Sequence, residues 1–455
     1  MSIMIYSDNL LRFDLFQQLV EWLNVSMRDQ RKGRHFLETN ALLMEHETGR
    51  ELERLIVAQV EDKIEIKQQM QHLQALLQDV HRRGNTTEDI REAYVNTYGG
   101  FALDLPSWLV ELEEQRMQLV RLRRPDRTTK NHVRLLREAL ARAKNDRGVA
   151  PEVIAELQNE LAYTLLQGPH PSSQTEYIDM LEQAMHYHEA ALQVYTFERY
   201  PFQYAKTYGQ LGIICQHYGV ASGQQEFIER AISSYKSALW VYNRDTFPEQ
   251  WTMLQTYMGC AYAYRGQDKT GDNIEYAIYC HEMALRVVPR ALFPTIWATA
   301  QTHLGDAYRE RIKGDRPENL KRALICYRLA LSVFSQKDFP REWAAIHTKL
   351  GFIFQHARAE ETEMNTDMNL RCAIVCYEGA LDDVYTLESF PVERAATLVS
   401  LGNVHLRRPS GNRRENLEQA RKCYRKALDI FTEQAFPLEY QQTVRNLSEA
   451  ELLLH

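Results

Sequence analysis

The 455-residue sequence predicts an all-α protein, an α-solenoid that follows an N-terminal helical cap. Three observations predict it. Prolines recur at 151, 201, 248, 294, 340, 391 and 437, in steps of 50, 47, 46, 46, 51 and 46 residues. A Leu-Gly or similar pair follows most of them by about ten residues. A run of alanines and one aromatic then follows at spacings of 3, 4 and 7, which mark one helical face. A generic prior of about 150 residues per domain would give roughly three domains. A period this regular points instead to one stacked unit repeated along the chain.

The elements before the repeats are helical in pattern without repeating. Asp8 is placed to cap a helix reaching about residue 24, with Leu11, Leu15, Leu19 and Trp22 on one apolar face. A short stretch at about 34–46 comes next. Thr48 opens an amphipathic run to Arg83, striped by Leu52, Leu55, Ile56, Val60, Leu73, Leu77 and Val80. The stripe drifts without clean heptads, so packing within the chain is expected rather than a coiled coil. Gly84-Asn85 ends the run, and Thr86 with Glu88 fits the start of a short helix. Gly99-Gly100 breaks that helix. Pro106 begins another that reaches Leu122, and Pro125 breaks it. A last helix at about 129–145 leads into the repeats. The expected organisation is an N-terminal helical domain at 1–130, a connecting helix at 131–150 and the solenoid at 151–455. The N-terminal part would cover the exposed face of the first repeat, as terminal repeats require.

Each repeat predicts two helices. Its Pro suits the first turn of helix A, where the missing N–H is unneeded. The preceding Phe or Tyr is placed to pack back onto the helix it introduces. Gly305 and its equivalents fall inside helix A, where Gly costs about 1 kcal/mol. That is tolerable where a close neighbour leaves no room for a side chain. Helix B carries Leu320, Ala323, Tyr327, Ala330 and Leu331, matched by Leu417, Ala420, Tyr424, Ala427 and Leu428. The units are 151–200, 201–247, 248–293, 294–339, 340–390 and 391–436, with a C-terminal helix at 437–455.

These motifs resemble the tetratricopeptide repeat family, with Leu-Gly-x-x-Tyr in helix A and Ala-x-x-x-aromatic-x-x-Ala in helix B. The period of about 46 exceeds the family's 34. The extra residues fall between the helices and after helix B. The resemblance implies a right-handed solenoid whose concave face, made by helix A, binds protein or peptide. More narrowly, the run from Leu304-Gly305 through Arg316-Pro317 to Leu320, followed by Phe339-Pro340 and Trp343, is similar to bacterial repeats that accompany caspase-like CHAT peptidases. In that setting the repeats serve as a sensing or scaffolding arm. No strand-rich region with a His and Cys pair is evident for the peptidase itself.

By the same resemblance, positions −3, +1, +4 and +5 from each repeat Gly should face a partner. They select His217, Thr256, Tyr264, Thr302, Asp306, Arg309, Glu310, His356, Asn403 and Arg407, together with Gln216 and Gln355. Lys206 stands six before its Gly. The set is polar and mixed in sign, which suits an extended peptide or a partner's loop better than a polyanion.

Charge is uneven. Residues 116–147 hold eleven Lys or Arg against Asp126, Glu138 and Asp146, a balance of +8 within a chain of net −7. Arg121, Arg123, Arg124, Arg127, Arg134 and Arg137 form the basic patch. A basic stripe can bind nucleic-acid phosphate or an acidic partner. No aromatic interleaving supports base stacking, so a solvated, ion-paired face is the stronger expectation.

No catalytic motif is evident: there is no Gly-rich phosphate loop, HExxH or G-x-S-x-G. The chain reads as non-enzymatic, without cofactor or metal. Seven cysteines without CxxC pairing fit a reducing cytoplasm. Cys280, Cys326, Cys376 and Cys423 share one helix B position, and His188 and His281 take the helix B aromatic position. Both sets read as packing residues. The first residues carry Asp8 and Asp14 and do not read as a signal peptide. No stretch reaches the roughly 18 apolar residues of a membrane span. The expectation is a cytoplasmic scaffold or sensor with a protein or peptide partner, in bacterial defence or stress signalling. A peptide-pheromone-responsive regulator and a nucleic-acid binder are the alternatives.

Overall fold

A computed structural model describes residues 15, 18–44, 48–50, 52–53, 64–121, 125–167, 173–266, 271–357, 366–382, 384–386 and 390–454. Among these the regular structure is helical, with no strand. The chain divides into two compact units. One holds Met1–Gln167 and Ala184–Leu211, the other Gly168–Gln183 and Gly212–His455.

The first unit begins with a helical segment at 18–26, the helix Gln30–Thr39 and a 3-10 turn at Ala41–Met44. The short stretch expected at 34–46 therefore starts earlier. The cause is Asp29, whose carboxylate accepts from the backbone N–H of Arg31 and Lys32 and caps the helix. Helices Ile64–Arg83 and Thr87–Tyr98 follow. Leu19, Trp22, Leu37, Leu77, Val80 and Tyr94 bury one shared core. The indole of Trp22 donates to the Tyr94 hydroxyl at 3.0 Å. Thr48 and Leu52 are helical as expected, whereas Asp8, Leu11, Leu55, Ile56 and Val60 lie outside the described residues. Thr86 and Asp89 close a capping box at the start of Thr87–Tyr98. Helix Pro125–Asn145 starts at the proline that the sequence marks only as a break. At a first turn the missing N–H costs nothing, so one residue can both end a segment and open the next.

Gly99-Gly100 joins these helices to Pro151–Leu166, the first helix A. Gly99 has φ +85, and a side chain there would strike the Glu156 carboxylate. One on Gly100 would strike the Glu152 carbonyl. The Gly100 N–H instead donates to the Tyr195 hydroxyl at 3.0 Å, and that hydroxyl donates to Glu156 Oε2 at 2.8 Å. Asn96 adds a second tie, accepting from the Phe202 N–H at 2.8 Å.

The second unit is an array of A and B helices in sequence. Its complete pairs are Pro248–Tyr264 with Asp272–Val287, Pro294–Glu310 with Arg316–Leu331, Pro340–His356 with Thr366–Leu381, and Pro391–Arg407 with Arg413–Leu428. Pro437–Leu452 follows them. Each proline is the first residue of its helix. The aromatic before it also makes a ring contact that the spacing does not predict. Its ring meets, edge-on, an aromatic five residues upstream: Phe247 on Tyr242 at 5.3 Å, Phe339 on Phe334 at 5.3 Å and Phe436 on Phe431 at 5.6 Å. The aromatic thus staples the end of one helix B to the start of the next helix A.

The glycine inside helix A sits under the aromatic of its own helix B. A Cβ built on Gly212, Gly305, Gly351 or Gly402 would come within 2.5–2.7 Å of the ring of Tyr235, Tyr327, Tyr377 or Tyr424. At Gly259 it would come within 2.6 Å of His281. All four tyrosines are fully buried. Gly305→Ala should therefore destabilise the chain by about 2 kcal/mol, an overpacking cost. In an open helix the same change would stabilise by about 1 kcal/mol. Urea unfolding reads the sign directly.

Candidate functional site

Each buried tyrosine also bonds a polar side chain of its own helix A. Tyr235 donates its hydroxyl to Gln216 Oε1 at 3.1 Å, and Tyr377 donates to Gln355 Oε1 at 2.8 Å. Tyr327 donates to Asp306 Oδ1 and Tyr424 to Asn403 Oδ1, each at 2.8 Å. The acceptors stand at +4 or +1 from the repeat Gly. One side chain thus fills the stacking seam and fixes a polar group on the inner wall. The unit with His281 has Cys260 and Ala263 at those positions and no such acceptor.

A cavity of about 510 Å³ lies along these inner faces in the second unit. Ile213, Val220 and Ala221 line one end, and His303, Asp306 and Lys349 the other. Tyr177, Tyr257 and Tyr264 stand among them. Tyr177 shares a 2.8 Å hydrogen bond with His217 Nδ1. Lys349 Nζ donates to both Asp306 oxygens at 2.8 and 2.7 Å. His303 Nδ1 lies 3.6 Å from Asp306 Oδ2. Burial would raise the Asp306 pKa, but Lys349 and His303 outweigh it and hold the carboxyl well below the usual range. Burial would likewise lower the His303 pKa, but Cys260 and Asp306 beside it hold it up at about 10. His281, stacked on His303 at 5.9 Å between ring centroids, is driven down to about 3 by burial and by its electrostatic coupling to His303.

The structure brings His217, Gln216, Tyr264 and Asp306 to this cavity. The other expected residues lie elsewhere. Thr256 is buried, and its hydroxyl bonds back to the Thr252 carbonyl. Thr302 does the same to Ala298. Arg309 pairs with Glu310 at 3.0 Å and lies over the Phe352 ring at 4.8 Å. His356 also stacks on Phe352, at 4.2 Å, and bonds its carbonyl. Asn403 accepts from Asn446 as well as from Tyr424. Arg407 is exposed. Lys206 belongs to the first unit, where it pairs with the buried Glu156 at 3.3 Å.

Sequence reasoning missed Tyr257, His303 and Lys349, all at position −2 from the Gly. Helical geometry holds the signal. At about 100° per residue, −3 returns to within about 60° of the Gly, toward the seam. Position −2 stands about 160° away, beside +5. Tyr177 also went unread, because it comes from a helix B.

The basic segment is partly spent on internal pairs. Arg116 binds Glu113 and Glu160 at 3.0 and 2.8 Å, Arg134 pairs with Glu138 at 2.8 Å, and the Arg142 guanidinium lies 4.3 Å over Trp108. Arg137 also has an interaction partner. Arg123 and Arg124 lie outside the described residues, and Arg121 and Arg127 are helical with side chains outside the description. Among the cysteines of helix B, burial pushes the Cys280, Cys326 and Cys376 thiols up to about 12 and the Cys423 thiol to about 11. Neutral thiols are poor nucleophiles, which fits packing. His188 is fully buried with Nδ1 2.8 Å from Asn159 Oδ1, and burial lowers its pKa to about 3. Among the described residues no group of His, Cys, Asp and Glu is arranged to hold a metal ion, and no helix is long and apolar enough to cross a membrane.

No protein-family model matches this chain, and no curated protein matches it. Among solved structures it is similar to BtubC (BKLC) from P. vanneervenii, at 16% identity and a TM-score of 0.35 over 56% of this chain and 90% of that one. The APC/C hetero-tetramer Cut9-Hcn1 gives 12% identity and a TM-score of 0.35 over 94% and 85%. A circular tandem repeat protein with a novel repeat topology gives 13% and 0.20 over 97% and 95%. At these scores the assignment to an α-solenoid rests on this chain's own helix pairs.

The elevated His303 pKa has a signed consequence. A group whose folded pKa is raised from 6.5 to about 10 contributes stability that is complete below pH 6.5 and is lost as pH climbs toward 10. The stability gap between wild type and His303→Gln should therefore shrink across that window. A gap that stays constant in urea titrations from pH 6 to about 10 would count against the raised pKa.

Proposed function

We propose that the chain is a non-catalytic scaffold or sensor whose repeat array takes a segment of a partner protein along its inner, helix A face. One observation carries this reading. Successive A helices present a continuous wall of mixed polar and tyrosine side chains, several of them held in place by buried tyrosines of helix B. A wall fixed from behind loses little entropy when it binds, which favours recognition of an extended segment. In the setting implied by the repeat resemblance, the partner is a caspase-like peptidase or another effector of bacterial defence or stress signalling, in the cytoplasm. The nucleic-acid alternative loses weight from the internal pairing of Arg116 and Arg134.

A photo-crosslinking amino acid at Tyr264 or Arg407, compared with one at the exposed Trp240 on the far end of a helix B, tests the reading in living cells. The expected result is a discrete protein adduct from Tyr264 or Arg407, lost when Lys349 is replaced by Glu. Adducts from Trp240 alone would overturn it.

A further inference from the structure

We infer that the outward face of helix B, across the four complete helix pairs of the second unit, docks an extended segment of a partner protein, one that carries apolar residues followed by a run of Asp or Glu. This surface is separate from the inner wall and does not rest on the reading of that wall.

The first observation is a repeat position that departs from its own pattern. At about 100° per residue, the residue two after the first Ala of helix B stands about 160° from that buried Ala, and so faces outward in every unit. Ser233 and Lys422 take the position in the units before and after. Between them stand Tyr279, Ile325 and Val375, exposed at 60%, 49% and 68%. The exposed Tyr276 and Leu329 widen the strip. Single apolar residues are ordinary on a surface, but one position filled so in three consecutive units makes a row. The helices that carry the row are neighbours. The Tyr308 hydroxyl donates to Glu282 at 3.0 Å and accepts from Arg322 at 3.5 Å, bridging Asp272–Val287 and Arg316–Leu331. Cys376 packs on the cluster that holds Ala323 and Cys326, and Cys423 lies in the cluster of Ala373 and Tyr377.

The second observation is charge. Beside the apolar row, Arg322 and Arg371 are answered within their own helices, by Glu318 at 3.0 Å and Asp367 at 2.7 Å. The exposed Arg328 and Glu378 offset each other in sign. At the end of the row, helix Arg413–Leu428 carries six Lys or Arg against Glu415 and Glu418. Arg425 is matched by Glu451 at 2.7 Å, and Arg414 lies 3.7 Å from Glu418. Arg421, Lys422 and Lys426 reach no carboxylate among the described residues. With Arg425 they line a hollow of about 380 Å³ whose acids are Glu418 and Asp429. The excess rests on Arg and Lys, which stay charged at neutral pH.

These two features select the partner. Packed helices lie about 8–10 Å apart, and an extended polyproline-type segment returns to the same side every third residue, about 9 Å on. Such a segment sets one apolar residue over each of Tyr279, Ile325 and Val375, and brings the acidic residues that follow to the unpaired cations. A nucleic-acid strand would leave the apolar row uncovered. An anionic bilayer would call for cations around the row rather than at one end of it.

The probe for the full-length chain is a fluorescein-labelled peptide with Leu at every third position among prolines and serines, followed by a run of Glu, read by fluorescence anisotropy. It should bind at least about tenfold more tightly than versions with the Leu replaced by Ser or the Glu by Lys. Val375→Asp should weaken it about tenfold. The double variant Lys422→Glu/Lys426→Glu should reverse the charge preference, so that the Lys peptide binds more tightly than the Glu peptide. All three positions are exposed, and an unchanged urea midpoint certifies each variant as folded. No binding of the Glu peptide to wild type, equal binding of the Glu and Lys peptides, or binding untouched by Val375→Asp would overturn the proposal. Binding of the wild type to phosphatidylserine vesicles in place of the peptide would assign the row to a membrane and overturn it as well.

Discussion

The contact between a helix B aromatic and a helix A glycine is the constraint on which the array depends. The Tyr327 ring occupies the space a Cβ on Gly305 would need, and the same holds for Tyr235, Tyr377 and Tyr424 over their glycines. A mid-helix glycine is intrinsically unfavourable. Here it lets the two helices of a unit approach to ring contact and bury a whole tyrosine in each seam. Each ring also ends in a hydroxyl that must find a partner once buried. The partner is a polar side chain on the inner wall. Stacking and surface chemistry are therefore set by one residue. Where histidine replaces tyrosine, at His281, Cys260 and Ala263 stand at the positions that carry an amide or carboxylate acceptor in the other units.

Much of this fold was legible because it repeats. The prolines located each helix A start, and the alanine and aromatic spacing located helix B. Residues whose role depends on a single seam, such as Leu320, Ala323 and Tyr327, were read correctly from spacing. Residues whose role depends on two elements at once were not. The ring of Phe339 meets Phe334 in the preceding tail and also packs on the cluster that holds Ile346 and Leu350, a double role that periodicity does not show. Likewise, Thr256 and His303 look equally polar in sequence. Only the angle around the helix separates the seam from the open wall. Tyr177 was illegible for a different reason, since it reaches the cavity from outside the A helices.

Within the first unit, helix Pro151–Leu166 packs against elements that do not repeat. The Gly99-Gly100 pair brings a backbone turn against that helix at a distance no side chain would allow. Tyr195 then bonds both the turn and the helix. Glu152 and Glu156 are buried carboxylates, and both are answered: Tyr200 donates to Glu152 at 2.8 Å, and Lys206 pairs with Glu156. Lys206, expected on a binding wall, is instead part of this internal charge balance. Its exposure to a partner and its role as a counter-ion compete, and removing one member of a buried pair is costly.

The central claim is that a buried tyrosine ties the stacking seam to the inner wall. A double-mutant cycle between Tyr327→Phe and Asp306→Ala tests it most directly. Loss of a buried hydroxyl bond to a carboxylate costs about 1.5–3 kcal/mol. The two substitutions remove the same bond, so their destabilisations in urea unfolding should fall short of additivity by about 1–2 kcal/mol. Additive values, within about 0.3 kcal/mol, would show that seam and wall are independent and would contradict the account.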